Sequence, residues 1–438
     1  MPKQKVFQNI PYFLLFTLSF FPVMKANIAS MIAICYLTTT LVFYWNNFKT
    51  RFNELGLKPL IANCGFYILL VISISYSDNY FIAFKTLQAS ILLLFFPIIT
   101  LYFLPRIEKK TMEYFSYGFI ISVFVLLLYF FNLLVDALEV DRIYKLSEKG
   151  FIEQLKALNT YPYEFVLSKA FKHLDVLFES HKVYLSLQFL VAIVLSINLI
   201  VKHKVNTPRK VVLVFLISMF TVAIIYTQAI TTVFTLFLLI ITFPFFYFKG
   251  SFKKIVFLGL IIIFGFFSLN SGFFKTYSNK NTTSVIKLLR SISENNLEEG
   301  TDKRIYIYSC SIHLIRNNVL FGYGVGDVQN KLNSCYEDSD YVVAEYESVG
   351  SNINSHNYYL NLWLAGGIIT LLFFLFMLIH NLQVAIKSNS FCYGFFLLIF
   401  AIGLLTENIL VRMLGVFLFV ILNSLFHSIN YLDDQREN

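Results

Sequence analysis

Apolar side chains run almost unbroken through stretches of about 17–25 residues, parted by short polar or basic breaks, along most of the chain. Each stretch is long enough for a helix to cross a hydrocarbon core of about 30 Å. Lipid offers the backbone no hydrogen-bond partners, so each stretch must satisfy its own amides as a helix. The stretches are continuously apolar rather than alternating, which excludes a membrane β-barrel. Twelve spans are predicted, over 7–24, 27–46, 59–76, 84–104, 112–136, 182–201, 210–227, 229–248, 255–270, 358–380, 391–407 and 411–430. The fold class is an all-α polytopic membrane protein with a large helical loop before the tenth span.

Charge orients these spans. Lys3 and Lys5, then Lys49, Arg51 and Lys58, then Arg106, Lys109 and Lys110, fall on one side of the bilayer. Lys202, Lys204, Arg209, Lys210, Lys249, Lys253 and Lys254 join them, whereas the short loops opposite hold only Lys25 and Lys85. The basic face is cytoplasmic. Both termini are therefore expected inside a bacterial inner membrane, with 137–181 and 271–357 as outer segments. The chain divides into a transmembrane bundle over 1–270, an outer polar loop over 271–357, and a last bundle with a cytoplasmic tail over 358–438. No small-x-small cleavage site follows the first apolar run, so that run is expected to remain a span. No internal repeat supports an inverted-repeat transporter.

Composition agrees with this pattern. Hydrophobic residues make up 57% of the chain and charged residues 14%, with mean hydropathy +0.67; a soluble domain carries roughly a quarter charged residues. The net charge of +9 gathers beside the spans, and no basic–aromatic patch lies elsewhere, so nucleic acid is excluded as a partner. Cys35, Cys64 and Cys392 fall within spans, where a free thiol packs as a small apolar group. Cys310 and Cys335 share the second outer segment. Two cysteines make no framework, so a bridge stays open, with two free thiols the preferred reading.

Polar chemistry concentrates in that outer segment. Thr301 is a candidate N-cap for a helix to about Arg316, closed by Asn317 and Asn318. Helical spacing puts Arg304, Tyr308, Ser311 and Ile315 on one face and His313 opposite. Gly322, Gly324 and Gly326 follow in a Gly-Tyr-Gly-Val-Gly-Asp turn, which either aims amides at an anion or is simply flexible. The absence of a preceding strand excludes a nucleotide-binding fingerprint. His356 and Asn357 then open the tenth span. In a first helical turn the dipole disfavours the imidazolium, leaving a neutral ring able to act as a base toward a hydroxyl. Glu407 and Arg412 form a further charged pair near the membrane, either a structural cap on a helical hairpin or part of a site.

The ordered set R-x3-Y-x2-S, N-x-L-F-G-x-G-x-G-D, a polar loop, and H-N-Y-Y-L before a Gly-containing span resembles the core of the O-antigen ligase and O-antigen polymerase family, over about 301–375. His181-Lys182-Val-Tyr184-Leu-Ser186 is similar to that family's H-P-x-Y-x-S in Bacteroidetes-like bacteria, and Thr406-Glu407-Asn408 with Arg412 and Gly415 fits as well. The resemblance implies a metal-independent membrane glycosyltransferase with no cofactor. It would take a glycan from a polyprenyl-diphosphate carrier and pass it to a lipid-linked sugar or another glycan. In that reading Arg304 contacts the diphosphate leaving group and His356 is the base. Tyr308, Gly322, Gly324, Gly326, Asn357, His181, Lys182, Tyr184, Glu407 and Arg412 are the expected substrate-binding residues. The pattern breaks at one point: relatives place an arginine between the seventh and eighth spans, where this chain has Ile230, leaving Lys182 or Arg142 to supply the charge.

The ligase reading is preferred over polymerase on the H-N motif and the outer loop. A flippase or exporter of lipid-linked oligosaccharide is the rival from another class, and a catalytically inactive relative is a third reading. A transporter should bury charge at the midplane of several spans, whereas charge here collects in the outer loops. Oligomeric state is left open by the sequence.

Overall fold

The computed structural model describes residues 9–105, 107–145, 163–178, 180–202, 205–247, 303–338 and 353–437. Among the described residues there are helices and turns but no strand. The helices in chain order are α1 (Ile10–Leu18), α2 (Ala26–Tyr44), α3 (Asn47–Leu55), α4 (Lys58–Ile72), α5 (Tyr80–Ser90), α6 (Leu92–Tyr102), α7 (Lys109–Lys145) and α8 (Tyr163–Phe178). They continue as α9 (Lys182–Lys202), α10 (Thr207–Thr227), α11 (Ile230–Tyr247), α12 (Lys303–Asn317), α13 (Val328–Asp338), α14 (Tyr358–Lys387), α15 (Phe391–Gly403) and α16 (Met413–Glu437).

Eight helical segments among the described residues are long and apolar enough to cross a membrane, α5 and α6 together making one of them. Two further apolar helices, in α11 and α15, are shorter. The expected first span is only the nine-residue α1 followed by a single turn of 3-10 helix over Phe21–Val23. Pro11 in its first turn and Pro22 in the next fix where each begins. The expected span over 255–270 lies outside the described residues. The fifth span runs on past 136 as helix to Lys145. The expected eleventh span stops at Gly403, and a connection with one turn of 3-10 helix over Ile409–Val411 carries the chain to α16.

Two helices form the centre. α9 and α16 are buried along 89% of their apolar windows, against 28% for α2 and α10, whose outer faces are uncovered by the rest of the described chain. α16 stacks Phe419 on Phe396 of α15, and α9 stacks Phe189 on Phe220 of α10. Polar side chains tie the bundle at the end that carries α3. Asn63 Oδ1 of α4 accepts from Asn381 Nδ2 of α14 and from Asn423 Nδ2 of α16, both at 3.0 Å. Tyr393 of α15 donates to Asn423, and His427 Nδ1 lies 2.9 Å from Asn381 Oδ1. Such interhelical bonds hold helices in register where lipid gives no hydrophobic drive.

At the other end the turns before α5, α9, α11, α14 and α16 converge with the α12–α13 pair. α14 is kinked there: Gly366 and Gly367 leave helical geometry, and Gly367 has φ +72°. The loop after α12 fills the break. Ile368 N–H donates to Val319 O at 3.0 Å, Tyr323 N–H to Leu364 O at 2.7 Å and Gly324 N–H to Ala365 O at 2.9 Å. A Cβ on Gly322 would strike the Leu364 carbonyl, and one on Gly367 would strike that of Leu320. Both glycines are therefore demanded by close backbone approach as well as by positive φ.

Candidate active site

Glu407 stands in the turn between α15 and α16, where Gly403 O accepts its amide N–H. Its Oε2 is 3.2 Å from His356 Nδ1, and its Oε1 is 3.7 Å from Arg304 Nη2. The carboxylate is 18% exposed, against 33% for the His356 side chain and 44% for Arg304. The acid is thus covered while the ring and the guanidinium can be reached. Burial alone would raise the Glu407 pKa. The His356 hydrogen bond, the His356 and Arg304 charges and that of His181 outweigh it and hold the carboxyl below its usual range.

His356 is not in the first turn of a helix, as the sequence suggested. Asn357 takes the N-cap of α14, its Oδ1 accepting from Tyr359 N–H at 3.0 Å and Leu360 N–H at 3.1 Å. His356 lies one residue earlier with φ +43°, its amide donating to Asn354 Oδ1 at 2.9 Å. A carboxylate, rather than the start of the helix, faces its ring. With Nδ1 toward Glu407, a neutral ring whose proton sits on Nδ1 has Nε2 as its acceptor nitrogen. Ser355, fully buried, exchanges hydrogen bonds with Asn408 and so fastens this turn to the one carrying Glu407.

Arg304 comes from the first turn of α12, whose helix ends at Asn317 as the sequence suggested; Thr301, the expected cap, lies outside the described residues. Tyr308, one turn on, has its hydroxyl 3.4 Å from the carbonyl oxygens of both His356 and Leu405. Ser311 and Ile315 on the same face are buried. Cys310 of α12 and Cys335 of α13 are joined in a disulfide, Cα–Cα 5.9 Å, so the free-thiol reading does not hold. The two helices bring these positions within bridging distance, which spacing along the chain does not reveal.

The glycine turn is not an anion cradle. Besides the two bonds to α14, Val325 N–H donates to Ser73 Oγ and Gly326 N–H to Ser77 Oγ, so its amides are engaged within the protein. Gly322, Gly324 and Gly326 serve packing. Asp327, 4% exposed, accepts from the backbone N–H groups of Asp78 at 2.6 Å and Asn79 at 3.1 Å, pinning the turn before α5. Nothing in the sequence joins it to residues some 250 positions away.

Glu407 and Arg412 are not each other's partners. Arg412 Nη1 is 3.3 Å from Asp175 of α8, with its guanidinium 5.8 Å from the centre of the Tyr184 ring. Tyr184 is buried with its hydroxyl 3.5 Å from Ile409 O. Asp175 is a residue that sequence reasoning missed, because an acid in a mixed-charge loop carries no signal of its own. His181 belongs to the same cluster: desolvation and the Lys182 charge lower its pKa, with Glu407 and Asp175 opposing. Lys182 opens α9 and is exposed. The turn holding Ile230 lies against that of Glu407, Thr231 Oγ1 being 2.8 Å from Thr406 Oγ1, and Ile230 is 57% exposed. The side chain of Arg142 lies outside the described residues.

An all-helical, multi-pass membrane fold with a histidine–carboxylate–arginine cluster where its turns converge is the class of protein this architecture defines. Residues 212–375 match the family model described as O-antigen ligase, so this part of the chain is similar to that family. The matched stretch contains Arg304, Tyr308, His356 and Asn357, whereas His181, Glu407 and Arg412 lie outside it. The chain matches no curated protein.

Proposed function

We propose that the chain transfers a glycan from a polyprenyl-diphosphate carrier to the hydroxyl of a lipid-linked sugar or another glycan, at the periplasmic face of a bacterial inner membrane. The observation that carries the reading is the shared carboxylate: Glu407 holds His356 at 3.2 Å and Arg304 at 3.7 Å. The acceptor oxygen attacks the anomeric carbon while His356 Nε2 takes its proton. The bond from that carbon to the diphosphate oxygen breaks, and its electron pair leaves with the diphosphate. Arg304 meets the growing negative charge there with fixed N–H donors, the part a divalent metal plays in other transferases. Glu407 keeps the Nδ1–H tautomer and offsets the imidazolium that forms. Tyr308, His181, Lys182, Tyr184 and Arg412 line the approach, and Lys182 or Arg142 supplies the positive charge that relatives place where Ile230 stands.

Topology is part of the same proposal. Twelve spans with both termini cytoplasmic put the convergent turns outside, with 271–357 as the catalytic loop between the bundles 1–270 and 358–438. The Cys310–Cys335 bridge supports that side, because disulfides persist in oxidising compartments. Ligase and polymerase share this chemistry and differ in acceptor. Gel banding of surface glycan in a deletion strain tests the class. Accumulated lipid-linked polymer with no attached glycan is expected of a ligase, and single repeat units of a polymerase. Unchanged banding, or lipid-linked donor trapped on the cytoplasmic side, would refute transfer.

A further inference from the structure

A second polar cleft lies at the same end of the bundle, between the turn entering α5 and helix α13. Its volume is about 600 Å³. One wall is α13, presenting Asn330, Lys331 and Ser334, all exposed and spaced to share one side of the helix. The other wall is Asp78, Tyr80 and Phe81, the two rings being 54% and 79% exposed. The walls are fixed to each other through Asp327, whose carboxylate takes the N–H groups of Asp78 and Asn79. Tyr80 and Phe81 therefore start α5 in a set position, and Asn79 Oδ1 caps that helix on Ile82 N–H at 3.0 Å. The far end of α13 is tied to α12, the helix of Arg304, by the disulfide. The cleft is accordingly built before any ligand arrives, which spares the ordering cost of binding.

We infer that this cleft is a carbohydrate subsite, holding sugar residues of the glycan beyond the one that reacts. Its chemistry separates a neutral polyhydroxyl chain from the other ligands present at a membrane surface. The lining holds the Asp78 carboxylate and the Lys331 ammonium, with the buried Asp327 carboxylate already taken up by backbone N–H groups, so the cleft makes no demand for a charged headgroup. Lys331 also sits 5.7 Å from the centre of the Tyr323 ring, part of its charge being directed there. A carboxylate, an amide, an ammonium and a hydroxyl offer both acceptors and donors to sugar hydroxyls. Exposed aromatic faces suit the apolar C–H faces of sugar rings. This subsite rests on the glycan-transfer reading above.

The test uses the full-length protein in detergent or nanodiscs, with two donors: native lipid-linked glycan extracted from the host, and the same carrier bearing a single sugar. Phe81→Ala and Asn330→Ala change exposed side chains outside the histidine–carboxylate–arginine cluster. Each is expected to raise KM for the long donor about tenfold, a loss of ~1.4 kcal/mol of binding, with kcat unchanged and the single-sugar donor unaffected. Equal KM values in variant and unsubstituted protein would overturn the subsite and leave the rings as interface anchors. A rise shared by both donors would overturn it as well. No transfer from either donor by the unsubstituted protein would instead overturn the underlying reading.

Discussion

Glu407 serves two partners at once, and its removal separates effects that either partner alone would blur. Glu407→Gln leaves a neutral amide near His356 Nδ1 and releases Arg304, and transfer should fall by on the order of 10²–10⁴-fold, as when a catalytic histidine loses its carboxylate partner. Its pKa is depressed in the folded protein. The stabilisation it gives is therefore fully present above its unfolded value of about 4.3 and is lost as pH falls through the lower folded value. Thermal unfolding should show unsubstituted protein ahead of Glu407→Gln at pH 7, with the two converging in stronger acid. A gap that stays constant with pH would mean the charge is immaterial. At this scale the sequence was partly legible. Arg304, His356 and Glu407 are each visible as polar residues bordering apolar runs, but their meeting is not, since residues 304, 356 and 407 approach only when α12, α14 and the α15–α16 turn fold together.

The element that organises the site is the loop from Val319 to Asp327 seated in the kink of α14. It carries α12 against the bundle and sets the angle at which Arg304 arrives. Gly367→Ala should destabilise the protein by at least ~1–3 kcal/mol from the strained φ alone, read as a lowered melting temperature, with transfer reduced further as α12 loses its seat. A melting temperature within a degree of the unsubstituted value would contradict the latch. The disulfide is the second fastening. Its loss in Cys335→Ser should cost about 2–4 kcal/mol, and alkylation of the denatured protein without reductant should label Cys35, Cys64 and Cys392 but neither Cys310 nor Cys335. The glycines were conspicuous in the sequence, but whether glycine serves an anion or a neighbouring backbone depends on what faces it, and Leu364 and Leu320 are far away or unremarkable in sequence. Helix ends were easier to read. Asn317 closes α12 as expected, whereas α14 starts later than expected, with Asn357 as its cap and His356 ahead of it.

For the whole molecule, hydrophobic patterning carries most of the architecture, since lipid leaves the backbone no alternative to helix. It was weakest where a span is short: α1 and α15 stop early at positions that packing, rather than apolar content, decides. The histidine, carboxylate and arginine of the candidate site join at the end of the bundle that also carries the disulfide. The account places one reaction there, in which a base and a cation share a carboxylate. The most direct measurement is glycan transfer from native lipid-linked donor by purified protein, comparing His356→Ala, Arg304→Ala and the unsubstituted chain at equal folded concentration. The account predicts that each substitution lowers kcat by at least about 10²-fold, and that the double variant loses much less than the product of the two, because both act through Glu407. Transfer at the unsubstituted rate in both single variants would contradict it.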